Sequence, residues 1–330
     1  MSNYLDPGLL ALSFDQYQRY RLVAEALDRL RGPEQNLNIL DVGGHPGFSR
    51  KFLAQDQVIV ADLLTTGHGL DLMASAESLP YPDRVFPVVI AVDVLEHIAP
   101  EHRKPSIEEI ARVSSDLVLI AAPFEYALAR SAEKLVFDFI KEWLGYEHNY
   151  LKEHLENPAP SLVETESELI RLGFDTVILP NGLLERWLLM MFAYYYYDGF
   201  PGAMELRREI TEFYNLNYFW QDLAEPAYRH LIVASRNSLR QKPGALDDLV
   251  SKKQQLPEPD YQRFQLWLEL FRLGQNKRML LKLGELGSQL NEKDNAIAHQ
   301  QAYIAELEDF HKKVKGTLVY KIYETLFKRN

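Results

Sequence analysis

The sequence predicts an α/β fold on a doubly wound, mainly parallel sheet. Three observations predict it: a glycine-rich turn behind a short apolar strand, buried strands at βαβ spacing, and a polar or small residue closing each strand. Asn38-Ile39-Leu40-Asp41-Val42 reads as the first strand. Gly43-Gly44-His45-Pro46-Gly47 follows as a turn, with a helix expected from near Pro46. Glycine has no Cβ and tolerates positive φ, so such a turn lets backbone approach a ligand closely, and a helix start offers it unpaired N–H groups.

The remaining elements follow in order. Gln57 to Asp62 is a second strand ending in an acid about 20 residues past Asp41, where a carboxylate can accept both hydroxyl hydrogens of a ribose. Ser75 to Asp83 is a polar turn. Val85 to Asp93 and Asp116 to Phe124 are apolar runs long enough for buried central strands. Phe14 to Leu30 carries Tyr17, Tyr20, Val23, Leu27 and Leu30 at helical spacing and meets a stop at Gly32-Pro33, so a leading helix packed on the sheet is expected. Ser161 begins a capped helix with Glu164 three places on, Gly173 ends it, and Phe174 to Leu179 reads as a strand. His230 to Ser235 is a final strand.

Composition narrows the function. A chain of 330 residues holds one α/β domain and something more, and a hydrophobic share of 47% supplies a full core. A net charge of −11 argues against broad contact with nucleic acid. With no cysteine there are no disulfides, thiolate metal sites or cysteine nucleophiles. The start has no basic region before an apolar run, and the apolar stretch Trp187 to Tyr197 is too short to span a bilayer, so a cytoplasmic protein is expected.

Together these segments resemble the class I S-adenosylmethionine-dependent methyltransferases, over roughly residues 14 to 180 and the final strand. That family shows an acid-x-Gly-x-Gly-x-Gly turn, an acid closing the second strand, a "DAxxLPF-D" turn and a "D-x-LEH" segment after the fourth strand. Asp41, Gly43 and Gly47 match the first and Asp62 the second; Ala76, Glu77, Leu79, Pro80 and Asp83 match most of the third; Asp93, Leu95, Glu96 and His97 match the fourth. The resemblance implies a Rossmann-like seven-stranded sheet and S-adenosylmethionine as cofactor. It implies a cofactor site of Asp41, Gly43, Gly44, His45, Gly47, Asp62, Leu63, Ser75, Ala76, Glu77 and Asp93. Three positions depart from the pattern: His45 replaces the middle glycine, Ser75 an aspartate that accepts from the adenine amino group, and Pro87 an acid. A serine hydroxyl still accepts that bond, without charge.

Beyond the core, four parts are expected: a methyltransferase domain over 1–240 with helical insertions near 125–160 and 181–228, a linker over 241–260, a helical coiled-coil segment over 261–315, and a basic amphipathic tail over 316–330. The second insertion carries a dozen aromatic residues between Trp187 and Trp220, read chiefly as packing and in part as an acceptor cover that stacks on sugar rings or bases. Pro243 to Pro259 reads as linker. Leu283, Leu286, Leu290, Ile297, Ile304, Leu307 and Val314 fall on a and d positions, interrupted by Lys293, Gln300 and His311, which predicts a parallel homodimer; a lone amphipathic helix folding back is the alternative, favoured by Gly284 and Gly287. The stretch His311 to Asn330 sets six basic side chains against Glu324, with Val319, Tyr320, Ile322, Tyr323, Leu326 and Phe327 interleaved, suiting an anionic membrane face or an acidic partner. A methyltransferase domain with such a tail resembles bacterial proteins of cell-surface polysaccharide assembly.

The expected reaction is therefore methylation of a sugar or other small molecule, which needs an acceptor positioned near the methyl group and water excluded. An oxygen acceptor also needs a base, and His148 and His154 rank ahead of His97. No compact acid/His triad stands out, so no metal is expected. A worn methyltransferase fold serving as a coiled-coil scaffold is the alternative, supported by His45 and Ser75; a dinucleotide oxidoreductase fits less well, because here the acid precedes the glycines.

Overall fold

The computed structural model describes residues 4–32, 35–63, 68–199, 204–251, 261–317, 321–322 and 326, the side chains of 206, 250–251, 261–281 and 283 excepted. The chain divides into two compact units, Met1–Glu258 and Pro259–Asn330.

The first unit is built on seven strands: β1 (Asn38–Val42), β2 (Gln57–Asp62), β3 (Leu72–Met73), β4 (Phe86–Val92), β5 (Ser114–Ala122), β6 (Asp175–Leu183) and β7 (Ala227–Ser235). They form one sheet in the order β3-β2-β1-β4-β5-β7-β6. All neighbours are parallel except that β7 runs antiparallel to both β5 and β6. This is the Rossmann-like methyltransferase sheet that the resemblance implies. Consecutive residues of a strand point to opposite faces. Ile39, Val88 and Ile90 accordingly join one core and Leu40, Val89 and Ala91 the other. Because both faces are covered, the central strands need the unbroken apolar runs seen in the sequence.

The helices are α1 (Pro7–Leu10), α2 (Phe14–Leu30), α3 (Ser49–Phe52), α4 (Pro100–Val113), α5 (Ala127–Leu144), α6 (Asn149–Glu156), α7 (Leu162–Arg171), α8 (Leu184–Asp198), α9 (Met204–Asn217), α10 (Ser238–Gln241), α11 (Asp247–Ser251) and α12 (Tyr261–Gly316). Tyr17, Leu27 and Leu30 put α2 on the first core, while Ile107 and Ile110 of α4 and Leu169 of α7 fill the second. The Ser161 hydroxyl accepts the Glu164 N–H at 3.3 Å, so the cap that starts α7 forms as the sequence suggests.

Three features differ from the expectation. The helix expected near Pro46 starts only at Ser49 and runs four residues, because Gly47 N–H bonds the Gly44 carbonyl at 2.7 Å and closes a turn first. β3 is two residues long and leaves no period to read. Part of the expected linker is folded: Leu246 and Leu249 are buried in the first core, Asp248 pairs with Arg29 at 2.7 Å, and Lys242 Nζ donates to the Arg31 carbonyl at 2.6 Å. Residues 252–260 lie outside the described residues.

The insertions fold as α5–α6 and α8–α9. Their rings pack largely on one another: Trp143 stacks on Tyr196 with centroids 5.1 Å apart, and Trp187 on Tyr228 at 3.7 Å. In the second unit α12 runs unbroken through Gly284 and Gly287. Leu286, Leu290, Ile297, Ile304 and Leu307 on it are 48–63% exposed. Leu283 and most of the basic tail lie outside what is described there. Among the described residues, no helix is long and apolar enough to cross a membrane.

Candidate active site

The turn after β1 is fixed by backbone geometry. Gly43 has φ +72° and Gly47 φ +86°, and the Gly43 N–H donates to the Ala61 carbonyl at 2.7 Å. A Cβ on Gly44 would stand 2.2 Å from the Asp41 carboxylate, so that carboxylate lies directly under the turn. Asp41 is fully buried; it accepts from the Ser49 hydroxyl through Oδ2, while its Oδ1 has no partner. Burial pushes its pKa up to about 7, against the pull of that hydrogen bond. Across the turn, Asp62 Oδ2 accepts the His45 N–H at 3.1 Å. A Cβ on Gly69 would lie 2.1 Å from the Pro46 carbonyl oxygen, so a second glycine backbone presses on the turn from outside.

Of the other expected cofactor residues, Leu63, Ser75, Ala76 and Glu77 lie just past β2 and β3. Leu63 follows Asp62 and is largely exposed; Ser75 uses its hydroxyl to accept the Glu77 N–H at 3.3 Å; Ala76 is buried. Glu77 is exposed, and its carboxylate meets His102 Nδ1 at 2.9 Å. His45 is half-buried, with Nε2 lacking a partner.

Asp93, just past β4, sits at φ +55°. Arg229 of β7 donates to it through Nε and Nη2 at 2.5 and 2.6 Å, and Arg19 of α2 pairs with it as well. Arg229 is 2% exposed and also reaches Asp15 at 3.2 Å. Burial alone would raise the Asp93 pKa, but the two guanidiniums hold it well below the usual carboxylate range. Arg19, Arg229 and Asp15 were not legible as site residues, because nothing local marks a side chain whose partner is 136 positions away.

Beyond Asp93 the chain brings together Glu96, His97 and His154, whose ligand-type atoms all lie within 4.8 Å of one another. The two imidazole centroids are 4.9 Å apart. Each ring is held from behind: Glu153 meets His97 Nδ1 at 2.9 Å, and Glu133 meets His154 Nδ1 at 2.8 Å while accepting from the Tyr228 hydroxyl at 2.8 Å. Burial would lower the His154 pKa, but its bond to Glu133 leaves it raised, whereas burial and His154 lower that of His97. Burial, then the charge of Asp93, pushes Glu96 up to about 8. A cavity of about 260 Å³ opens beside this cluster at the ends of β4 and β5, lined by Glu96, Phe124, Tyr126, Arg130, Glu133 and His154 among others.

His148 stands apart in role. Its Nδ1 accepts the Leu151 N–H at 3.4 Å, capping α6, and its Nε2 meets the Tyr195 hydroxyl at 2.8 Å. Both ring nitrogens are thus engaged. The acid/His triad that no sequence window displays is formed by Glu96, His97 and His154, the last 57 positions beyond His97. Glu96 and Glu133 are the residues missed there; the "LEH" segment was the one available signal.

Residues 40–117 match a family model described as a methyltransferase domain. No curated protein matches the chain. Among solved structures, it is similar to a SAM-dependent methyltransferase of Thermotoga maritima, a possible histamine N-methyltransferase, at 13% identity over 67% of this chain and 91% of that one, with a TM-score of 0.40. It is also similar to the magnesium protoporphyrin IX methyltransferase of Synechocystis, with bound SAH, at 14% identity over 67% and 84% of the two chains and a TM-score of 0.39. A third likeness is to the CurJ carbon methyltransferase at 14% identity and a TM-score of 0.39, where the match takes in 66% of this chain and 54% of that one.

The strand order is that of a Rossmann-like methyltransferase sheet, and the family match over residues 40–117 supports an S-adenosylmethionine-dependent methyltransferase domain. The residues fit that cofactor: the turn leaves no room for a Cβ at Gly44, Asp62 stands at the end of β2, and Asp41 keeps one buried oxygen unpartnered.

Proposed function

We propose that this protein methylates an oxygen of a sugar or another small hydroxylated molecule, in cell-surface polysaccharide biosynthesis. The observation that carries the reading is the cavity beside β4 and β5, in which aromatic Phe124 and Tyr126 stand with Glu96 and His154. Bound S-adenosylmethionine supplies an electrophilic methyl carbon. Asp62 would accept the ribose hydroxyls, and the glycine turn would let backbone lie against the cofactor. Aromatic faces suit the C–H faces of a sugar ring. An acceptor hydroxyl is a poor nucleophile until its proton is drawn off, and Glu96, His97 and His154 are the groups beside the cavity that can promote that loss. We also propose that α12 pairs with a second copy as a parallel coiled coil, supported by exposed apolar residues at a and d positions, and that the basic tail contacts an anionic membrane face.

Calorimetric titration of S-adenosylmethionine, followed by transfer of a labelled methyl group to a panel of sugars, tests the reading. Micromolar binding lost in Asp62→Ala, with label recovered on a hydroxyl, is the expected result. No binding to a folded wild type would sink it and leave the scaffold reading.

A further inference from the structure

We infer that Glu96, His97 and His154 bind one divalent first-row transition-metal ion beside the acceptor cavity. The inference rests on three independent observations. The three side chains come from a short turn after β4 and from α6, yet their ligand-type atoms converge within 4.8 Å. Both imidazoles are turned the same way: carboxylates of Glu153 and Glu133 take the Nδ1 atoms at 2.9 and 2.8 Å and leave Nε2 of each ring for the cluster. A histidine that holds a metal characteristically gives its other nitrogen to such a carboxylate, which fixes the ring and raises its basicity. Finally, Glu96 is 2% exposed with both carboxylate oxygens unpartnered, and His154 Nε2 is buried and unpartnered as well. Buried polar atoms in a native protein are satisfied. A direct Glu96–His154 ion pair would do so, but the two side chains form no hydrogen bond; a cation between them satisfies all three atoms at once.

The donor set selects the ion. Two imidazole nitrogens and one carboxylate suit zinc, cobalt, iron or manganese better than magnesium or calcium, which prefer all-oxygen sites. Three protein ligands leave positions open, and the cavity that Glu96 and His154 line is where an exogenous ligand can take them. On the methyltransferase reading above, on which this second step rests, that ligand is an acceptor with two neighbouring hydroxyls, a vicinal diol or a catechol. The ion acidifies one hydroxyl, whose proton passes to water. The resulting oxyanion forms the new C–O bond as the C–S bond of the donor breaks, its electron pair staying on sulfur.

The test is titration of the chelator-treated full-length protein with Co²⁺, followed by visible absorption and calorimetry, with S-adenosylmethionine affinity measured in parallel. One Co²⁺ per chain is expected, weakened at least about tenfold in Glu96→Gln, His97→Ala and His154→Ala while S-adenosylmethionine affinity changes little. His97 is 28% exposed at its side chain, so its variant carries the test if loss of the more buried His154 prevents folding. No saturable Co²⁺ binding, or equal binding in the variants, overturns the site. Co²⁺ binding without S-adenosylmethionine binding upholds the site and sinks the methyltransferase reading; the reverse overturns the site and leaves that reading standing.

Discussion

The glycine turn and the cavity beside Glu96 and His154 lie at the same edge of the sheet and are built in opposite ways. The turn is held through its own backbone N–H groups: Gly43 to Ala61, His45 to Asp62, Gly47 to Gly44. The cavity wall is side chain held by partners far apart, with Glu133 of α5 joining His154 of α6 to Tyr228 of β7. The first region therefore fails through sterics and the second through charge.

Gly69→Ala breaks the comparison on the turn side most severely. Its Cβ meets the Pro46 carbonyl at 2.1 Å, and Gly69 has φ +102°, so neither partner can relax cheaply. A loss of more than about 3 kcal/mol is expected in denaturant unfolding, together with loss of S-adenosylmethionine binding. On the charge side, Arg229→Met should cost about 3 kcal/mol by leaving Asp93 only Arg19. Because the Asp93 pKa is depressed in the folded state, its stabilisation is full above the ordinary value of 3.8 and is lost as pH falls below it. Unfolding curves taken as pH falls through 3.8 should show a smaller acid loss in the variant, whose Asp93 pKa is less depressed.

Asp41 carries the opposite sign within the turn. With its folded pKa raised to about 7 from 3.8, the native state holds a proton that the unfolded chain has released, so stability declines as pH rises through that window. Asp41→Asn should abolish a decline of up to about 4 kcal/mol between pH 4 and pH 7, read as Tm against pH. His148→Ala sharpens the division within the acceptor side. It removes a helix cap worth about 1 kcal/mol and should leave methyl transfer within about threefold of wild type, whereas His154→Ala should remove it. Smallest for the folding of the first unit is Leu290→Lys, with no change in its Tm; sedimentation should nevertheless show loss of the dimer if α12 pairs through that position.

The same contrast explains what was legible. Strands β1, β2, β4 and β5 declare themselves because a strand buried on both faces must be apolar throughout, α2 because helical spacing meets a Gly32-Pro33 stop, and α7 because Ser161 and Glu164 mark its start. The turn is legible because only glycine adopts φ +72° and +86° without strain at Gly43 and Gly47. The four-residue α3 and two-residue β3 are too short to show a period. The segment 241–251 reads as linker from its prolines and charges, yet two leucines, Leu246 and Leu249, suffice to dock it. On the acceptor side the histidines are visible but their relation is not: His97 and His154 meet only because α6 folds back across the end of β4, and His148, only six residues before His154, is spent on a cap and on Tyr195.

The clamp on Asp93 has a consequence for synthesis. Its two counter-ions come from the first long helix, through Arg19, and from the last strand of the sheet, through Arg229. A nascent chain therefore carries the complete glycine turn long before Arg229 leaves the ribosome, with Asp93 facing half of its eventual neutralising charge. Neutralising Asp93 is then among the last events of translation, and a chain halted before residue 227 would lack one of its two guanidiniums.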